Sequence, residues 1–392
     1  MDTDSLISEL INIMTDFALR TGLSPAGEAS PRRYLWTDAF AVCNFLEIHR
    51  LTRDERYKHL ALRLVDQVHN TLGRHRLDDP RTGWISGLDE SAGKLHPTKG
   101  GLRIGKDLNE RRPNEPYDEQ LEWGRDGQYL HYLTKWMQAL NRLSETTGDI
   151  IYNQWAMELA KAAHAGFAYN PAYGGQKRMY WKMSIDLSYP LVPSMGQHDP
   201  LDALMTYNLL QLTANKNTET PSILNLETEI AETADMCRGR TWATDDPLGT
   251  GELLVACLKV AQLSPYGTRD QAEFLISLLD AALKGLRSYT GTNPLNLPAE
   301  FRLAFRELGL SIGLQAIMRL KRLIGRDPDF FYNFPGLHPL IESLMPYVKL
   351  HEEIIQFWLE HENRKSGTWK EHLDINSVML GTSLAPHTFL DF

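Results

Sequence analysis

The sequence predicts an all-α fold in which helical hairpins form a closed ring. Two observations predict it. Helices with apolar residues all around their axis, a pattern typical of buried helices, alternate along the chain with helices that carry a single apolar stripe. In addition, a polar loop rich in aromatic residues precedes each buried helix. A ring of such hairpins would gather these loops at one mouth.

Each element follows from its own pattern. The first helix is predicted over 4–20, where apolar residues recur at helical spacing until Gly22. A buried helix begins near Trp36, and its amphipathic partner runs from Asp54 to about Leu72. Buried and amphipathic helices then follow in turn at 126–143 and 150–168, 200–214 and 224–238, 249–263 and 269–289, 303–324 and 339–361, and finally 374–385. This makes six helices of each kind.

One long insertion, residues 75–122, interrupts the rhythm of helices. It is rich in Gly, Pro, Arg and Asp, and a loop of this length with little structure of its own is usually functional or disordered. Its aromatic and charged residues favour a lid or a wall of the site. A loose alternation over 179–188 is compatible with a short hairpin at the mouth. No shift in composition marks a boundary, so a single domain is predicted over 1–392.

Composition limits the classes of partner. The formal net charge is −9 and the pI about 5.8, which disfavours binding to nucleic acid or to an anionic membrane. The acidic start of the chain and the lack of a long apolar stretch predict a cytoplasmic protein. The three cysteines fit no zinc or redox motif, and no metal or other cofactor is expected. The sequence does not predict an oligomeric state.

The alternation of six inner and six outer helices resembles the (α/α)6 toroid of the six-hairpin glycosidases and the N-acylglucosamine 2-epimerase relatives. The segment 122–129, Glu-Trp-Gly-Arg-Asp-Gly-Gln-Tyr, is similar to the tryptophan-arginine-glycine segment that opens an inner helix in unsaturated glucuronyl hydrolases. The resemblance covers nearly the whole chain as architecture. It implies an enzyme that processes carbohydrates, with its site at the mouth of the toroid.

Carboxylates stand at the start of several buried helices, beside tryptophan, histidine or arginine. Glycoside hydrolysis needs two carboxyl groups, one protonated as general acid and one ionised as base or nucleophile. Asp126 is the first choice for the acid, with Asp199 or Asp38 as the second group. Helix capping by itself explains each aspartate taken singly. The candidate catalytic residues are Asp126, Asp199, Asp38, Asp374, His198 and His372.

Sugar recognition adds aromatic faces against the C–H surface of the ring and polar groups against its hydroxyls. Six of the nine tryptophans lie in or beside predicted loops, and arginine suits a carboxylate on an acidic sugar. The candidate substrate-binding residues are Trp36, Trp123, Arg125, Gln128, Trp181, Trp242, Trp369, Arg103, Asp202, Glu252 and Asn376.

The leading hypothesis is therefore a glycoside hydrolase that uses two carboxylates on a small or acidic saccharide. The first alternative is a sugar epimerase or isomerase on the same fold, with His198 or His372 as acid–base group, since imidazole titrates near neutrality. The second alternative is a toroid without catalytic activity that binds a glycan or a protein.

Overall fold

In the computed structural model the chain forms two compact units, one of Met1–Phe17 with Gly239–Phe392 and one of Ala18–Arg238. The structure describes residues 3–24, 31–216, 224–263, 269–326, 334 and 336–391. Helix α1 spans Thr3–Arg20, close to the bounds that its periodicity predicts. The single domain over 1–392 stays a prediction.

In the unit of residues 18–238, buried helices pack beside one another and each is joined to an amphipathic partner. Helix α2 is buried at every residue from Leu35 to Ile48, as its all-round apolar pattern predicts. It packs against α3 and α6, α6 packs against α7 and α8, and α8 packs against α9. The helices of this unit are α2 (Leu35–Thr52), α3 (Glu55–Leu72), α4 (Glu90–Leu95), α5 (Glu119–Gly124), α6 (Leu130–Thr147), α7 (Ile151–Phe167), α8 (Asp199–Lys216) and α9 (Glu227–Cys237).

Helix α6 begins four residues later than the sequence predicts. Gly127 has a φ of 144°, which a helix does not allow. The next two residues form strand β1 (Gln128–Tyr129), antiparallel to β4 (Lys182–Met183). The sheet order is β1-β4-β5, where β5 is Pro190–Val192, and β2 (Ala168–Tyr169) pairs with β3 (Arg178–Met179). Strand β4 lies within the segment 179–188, for which the alternation indicates a short hairpin, and it pairs antiparallel with β5 just beyond that segment.

The insertion of residues 75–122 contains the short helices α4 and α5 and is tied down by ion pairs, so it has more structure than its composition predicts. Arg81 bonds Asp79 within the insertion and Asp186 outside it, both at 2.9 Å. Arg111 bonds Glu122 at 3.1 Å and also donates to the carbonyl of Leu191 at 2.8 Å. These bonds fix the insertion against the strand segment.

In the other unit, α10 packs against α11 and α12, and α12 packs against α14 and α16. Glycines allow the close approach of α10 and α12: a Cβ atom at Gly313 would stand 2.4 Å from the carbonyl oxygen of Gly251. The α-helices of this unit after α1 are α10 (Pro247–Leu263), α11 (Arg269–Gly291), α12 (Ala304–Arg326), α13 (Leu337–Leu344), α14 (Leu350–Leu359), α15 (Gly367–Glu371), α16 (Leu373–Leu384) and α17 (His387–Leu390).

The single helix predicted over 339–361 is divided. A 3-10 helix at Met345–Tyr347 separates α13 from α14, and it contains Pro346, which lacks the amide hydrogen that a continuous helix needs. A buried ion pair lies nearby in the same unit. Arg302 donates twice to Glu307, at 2.8 and 2.7 Å, and the indole of Trp358 donates to the same carboxylate at 2.8 Å.

Candidate functional site

An aromatic cluster lies around the start of α6. We use this name for the six residues Tyr34, Trp36, Trp123, Tyr129, Tyr132 and Trp181. The rings of Trp123 and Trp181 stand edge to face with centroids 5.5 Å apart, and Trp181 lies 5.4 Å from Tyr129. Tyr132 contacts Tyr129 at 5.2 Å and Tyr34 at 5.6 Å. Trp123 is 52% exposed, so part of the aromatic cluster faces solvent.

His131 lies within the aromatic cluster. Its ring stacks on Tyr129 with centroids 5.2 Å apart, lies nearly parallel to Trp181 at 6.4 Å, and meets Tyr132 edge to face at 4.9 Å. The side chain is 25% exposed. Burial, reinforced by the nearby positive charge of Lys135, lowers the pKa of His131 to about 4, although Asp202 opposes the shift. The imidazole is therefore neutral at pH 7.

Two carboxylates at the start of α8 stand beside His131. The Nδ1 atom of His131 lies 3.6 Å from Oδ1 of Asp199. One turn later, Asp202 accepts a hydrogen bond from the ammonium of Lys135 at 2.9 Å and another from the hydroxyl of Thr134. Because α6 and α8 pack directly against each other, this group is held by two helices and not by a loop. His198 immediately precedes α8, and its carbonyl accepts from the amide of Asp202 at 2.9 Å.

Two tyrosine hydroxyls form a pair on another side of the aromatic cluster. The Oη atoms of Tyr34 and Tyr132 are 2.8 Å apart. Burial raises the pKa of Tyr34, and burial with the neighbouring Tyr34 raises the pKa of Tyr132 well above its ordinary value. Both phenols are therefore protonated at pH 7; one hydroxyl donates to the other, and the hydroxyl that accepts keeps its own hydrogen for an oxygen atom of a ligand.

Asp126 has the partners of a structural carboxylate. It is fully buried, and its oxygens accept from Arg103 at 2.8 Å, from Arg76 at 3.4 Å and from the backbone amide of Gly105 at 2.9 Å. Arg103 in turn also donates to the carbonyls of Thr71 and Arg74. This geometry argues against the general-acid role of Asp126, because its carboxylate has no exposed surface, whereas the side chain of Arg103 is 11% exposed and its role in substrate binding stays a prediction.

Two other predicted residues of this unit, Asp38 and Gln128, form hydrogen bonds with backbone groups. Asp38 is buried in the first turn of α2, where it accepts from the amide of Tyr34 at 2.9 Å and pairs with Arg33 at 3.5 Å; the N-cap residue is Tyr34, so Asp38 is not the N-cap that the sequence left open. Gln128 has no exposed surface; its side chain accepts from Leu102 and donates to the carbonyl of Ile185 at 2.7 Å. Direct contact between a substrate and Gln128 is therefore excluded in this conformation.

The remaining tryptophans and arginine of this unit differ in exposure. Trp36 is buried at 3% exposure behind Tyr132, whereas Trp123 and Trp181 present accessible faces. Arg125 forms an ion pair with Glu115 at 2.5 Å and remains partly accessible. Trp123, Trp181, Asp199 and Asp202 are thus the predicted residues that the structure brings together beside His131.

In the unit of residues 1–17 and 239–392, most predicted residues are packed into the fold. Trp242 and Trp369 are nearly fully buried, and Trp369 stacks on Trp358 with centroids 5.5 Å apart. Asn376 has no exposed surface and bonds the amide of Phe305 and the carbonyl of Trp369, both at 3.0 Å. These contacts argue against roles in substrate binding for Trp242, Trp369 and Asn376.

Three further predicted residues of this unit keep some accessible surface. Glu252 lies in the first part of α10, and Asp374 in the first turn of α16. His372 directly precedes α16 and meets the ring of Phe305 edge to face at 5.5 Å.

His131, Lys135 and the tyrosines of the aromatic cluster are absent from the sequence-based candidate list. The sequence does contain a pattern that could have identified His131 and Lys135, since they are one helical turn apart and closely follow the segment 122–129. What the sequence cannot show is that α8 brings Asp199 and Asp202 to the same place, because the two helix starts are about 70 residues apart in the chain.

No group of three or more His, Cys, Asp or Glu residues in the described ranges is arranged to hold a metal ion. Within those ranges, too, every helix is too short or too polar to cross a bilayer.

No protein-family model matches the chain, and no curated protein sequence does either. Solved structures do match. A cellobiose 2-epimerase from Spirochaeta thermophila superposes with a TM-score of 0.52 at 14% identity, over 97% of each chain. An inactive variant of an α-1,6-mannanase of Salegentibacter sp., in which two aspartates are replaced by alanine, superposes with a TM-score of 0.52 at 13% identity over 100% of each chain.

A D-mannose isomerase also superposes, with a TM-score of 0.50 at 11% identity, over 96% of this chain and 97% of the other. These similarities show that the chain has the (α/α)6 toroid fold, which confirms the fold class and the resemblance that the sequence predicts.

Proposed function

We propose that this protein is a carbohydrate-active enzyme that moves a proton on a sugar, as an aldose–ketose isomerase or a 2-epimerase, with His131 as the acid–base group. One observation carries the proposal: a neutral, partly exposed imidazole stands between aromatic rings and 3.6 Å from the carboxylate of Asp199. Aromatic faces bind the C–H surface of a sugar, and a neutral imidazole accepts a proton at pH 7. The cellobiose 2-epimerase and D-mannose isomerase with the same fold support this class of reaction.

The proposed proton transfer requires only a few side chains. In an open-chain aldose the C2 proton is acidic because it lies next to the C1 carbonyl, and His131 takes it to leave an enediolate. Nδ1 faces Asp199, so Nε2 is the nitrogen for the substrate. Return of the proton to C1, with transfer of the O2 hydroxyl proton to O1, gives the ketose, and protonation on the opposite face of C2 gives the epimer. The low pKa of His131 makes its conjugate acid strong, which favours the return step.

Other residues of the site support this step. The protonated hydroxyl of Tyr34 can donate to the carbonyl oxygen, where negative charge develops in the enediolate. Isomerisation needs a single base, because the proton moves along one face of the enediolate. Epimerisation needs a second group on the other face, and His198, next to Asp199 in the chain, is the candidate for it.

The test is proton NMR of aldoses incubated with the protein in D2O. We expect deuterium at C1 of a new ketose or at C2 of a new epimer, and loss of at least 100-fold in rate for His131→Gln, in line with the usual contribution of a general base. His361→Gln, at a histidine that is 77% exposed, serves as the control. New reducing ends without deuterium at C1 or C2 would show hydrolysis instead. Sugar binding without any product would support the non-catalytic alternative.

A glycoside hydrolase is the second candidate, favoured by the adjacent pair Asp245–Asp246 before α10. Asp245 is exposed, while Asp246 caps the helix through the amide of Leu248 at 2.7 Å. The inactive variant of the related mannanase lacks two aspartates, which makes this pair a reasonable alternative to Asp126 and Asp38. If the protein is a hydrolase, Asp245→Asn abolishes the release of reducing ends from oligosaccharides while His131→Gln does not.

A further inference from the structure

A polar cavity of about 500 Å³ lies in the insertion, close in the chain to the aromatic cluster. Its walls come from residues 78–81, from several residues between 108 and 115, from Arg125 and from Tyr189. Trp123 of the aromatic cluster and Arg125 of the cavity wall are only two residues apart. The volume lies within the usual range for small-molecule sites. None of the roles assigned above uses this cavity.

The charged groups of the wall are largely paired with each other. Arg81 bonds Asp79 at 2.9 Å and Glu110 at 2.5 Å, and Arg125 bonds Glu115 at 2.5 Å. Carboxylate and guanidinium charges therefore cancel across much of the wall. A metal cation would have to break these pairs in order to bind, and a phosphate would find only the exposed guanidinium of Arg112 outside them, so a charged ligand is disfavoured.

The same pairs suit a neutral polyhydroxylated ligand. A carboxylate next to a guanidinium offers fixed acceptors and donors side by side, which matches the neighbouring hydroxyls of a pyranose ring. Pro80, Leu108 and Pro113 add apolar surface to the wall, against which the C–H face of a sugar can pack. The lining thus has the two kinds of surface that sugar recognition requires.

Hydrogen bonds from Lys182 hold the part of the cavity wall that is close in the chain to the aromatic cluster. Lys182 is fully buried and its ammonium donates to the backbone carbonyls of Glu122 and Arg125 and to the carboxylate of Glu122, each at 2.8 Å. These bonds fix the short segment that carries both Trp123 and Arg125. A wall fixed before binding loses little conformational freedom when a ligand arrives.

We infer that this cavity binds a neutral sugar unit of an oligosaccharide whose reacting end lies on the aromatic cluster. Aromatic faces lead from His131 to Trp181 at 6.4 Å and on to Trp123 at 5.5 Å, and Trp123 is two residues before Arg125 of the cavity wall. The substrate is therefore a di- or oligosaccharide and not a free monosaccharide. This inference rests on the proposed function, because it takes His131 as the reacting end.

The test compares the binding of glucose, mannose, cellotetraose and α-1,6-mannotetraose by calorimetry, in the His131→Gln background so that no turnover occurs. Arg112, an exposed residue of the cavity wall, is replaced by alanine. Arg238→Ala, at an arginine with a 78% exposed side chain, is the matched control. We expect Arg112→Ala to weaken binding of a tetrasaccharide roughly tenfold, the usual effect of losing one hydrogen bond from a charged donor, while Arg238→Ala has no effect.

A second variant, Pro113→Trp, fills the cavity from its exposed wall without removing a bonded side chain, and should also weaken tetrasaccharide binding. Equal tetrasaccharide affinity in the parent, Arg112→Ala and Pro113→Trp, with loss of binding in Trp181→Ala, overturns this inference and leaves the proposed function in place. Failure of the parent to bind any of the four saccharides overturns both.

Discussion

At the scale of single residues, environment separates aspartates that look alike in the sequence. Asp126 faces two arginines and Asp199 faces an imidazole, although the sequence predicts both at the beginning of a buried helix. The residue type can be read from the sequence, and the helix start only to within a few residues, since α6 begins at Leu130. The partners cannot, because Arg76 and Arg103 come from the insertion, 50 and 23 positions earlier. The sequence therefore indicates carboxylates at these positions but not the partners of each, and their catalytic roles stay predictions.

The pH dependence of catalysis follows from His131. Since burial lowers its pKa to about 4, the neutral base is already present at mild acidity. We expect kcat/KM for the proton transfer to rise with pH through about 4 and to stay level from about pH 5 to 7. The measurement is the rate of deuterium incorporation at C1 or C2 between pH 3.5 and 8, after short exposure to acid. An acid limb near 6.5 would contradict the role of His131.

At the scale of elements, the insertion is the part that sequence patterns describe least well. Helices α1–α3 follow their periodicity, because each buries one stripe or its whole surface. The insertion instead depends on ion pairs between distant residues, such as Arg81 with Asp186 and Arg111 with Glu122. No local periodicity encodes such pairs, so its length and composition indicate only a lid or wall.

Replacement of Asp126 tests whether ion pairs hold the insertion in place. Asp126→Asn removes the charge that two buried guanidinium groups face, and we expect a loss of about 3 kcal/mol in the free energy of unfolding, as is usual for a broken buried pair. Limited proteolysis should then cut the insertion faster than in the wild type. Asp107→Asn, at an exposed aspartate of the same segment, is the control. Loss of turnover with unchanged stability and proteolysis would restore Asp126 as a catalytic acid.

At the scale of the whole molecule, the alternation of helices was enough to predict the (α/α)6 toroid, whereas the reaction was not predictable from it. The same fold belongs to an epimerase, an isomerase and a mannanase. Helix periodicity indicates which faces of the helices are buried, and this pattern of burial is what all these proteins share. The reaction depends on which few polar groups stay accessible, such as His131 beside the buried Asp199, and those depend on contacts between elements far apart in the chain.

Global stability should depend on pH through His69. This buried ring accepts a hydrogen bond from Trp136 at 3.2 Å, and burial lowers its pKa to about 3 from an ordinary 6.5. The unfolded chain therefore binds the proton first, so the stability from this group is complete above about pH 6.5 and falls as the pH drops toward 3.

His69→Gln keeps a side-chain acceptor for Trp136 and does not titrate. We expect the free energy of unfolding, measured with urea, to fall between pH 7 and 5 by about 2 kcal/mol less in this variant than in the wild type. His361→Gln again serves as the exposed control. An identical pH dependence in all three proteins would mean that His69 does not carry the effect.

The contact between Trp123 and Trp181 has an optical consequence. Their rings are 5.5 Å apart at an interplanar angle of 78°, so the electronic transitions of the two indoles couple strongly. The indole of Trp123 is half exposed, and that of Trp181 lies nearly parallel to the ring of His131. A sugar that shifts either ring changes the near-ultraviolet circular dichroism of the pair. The protein thus carries an intrinsic spectroscopic reporter of occupancy, which can be read without a label and before any product forms.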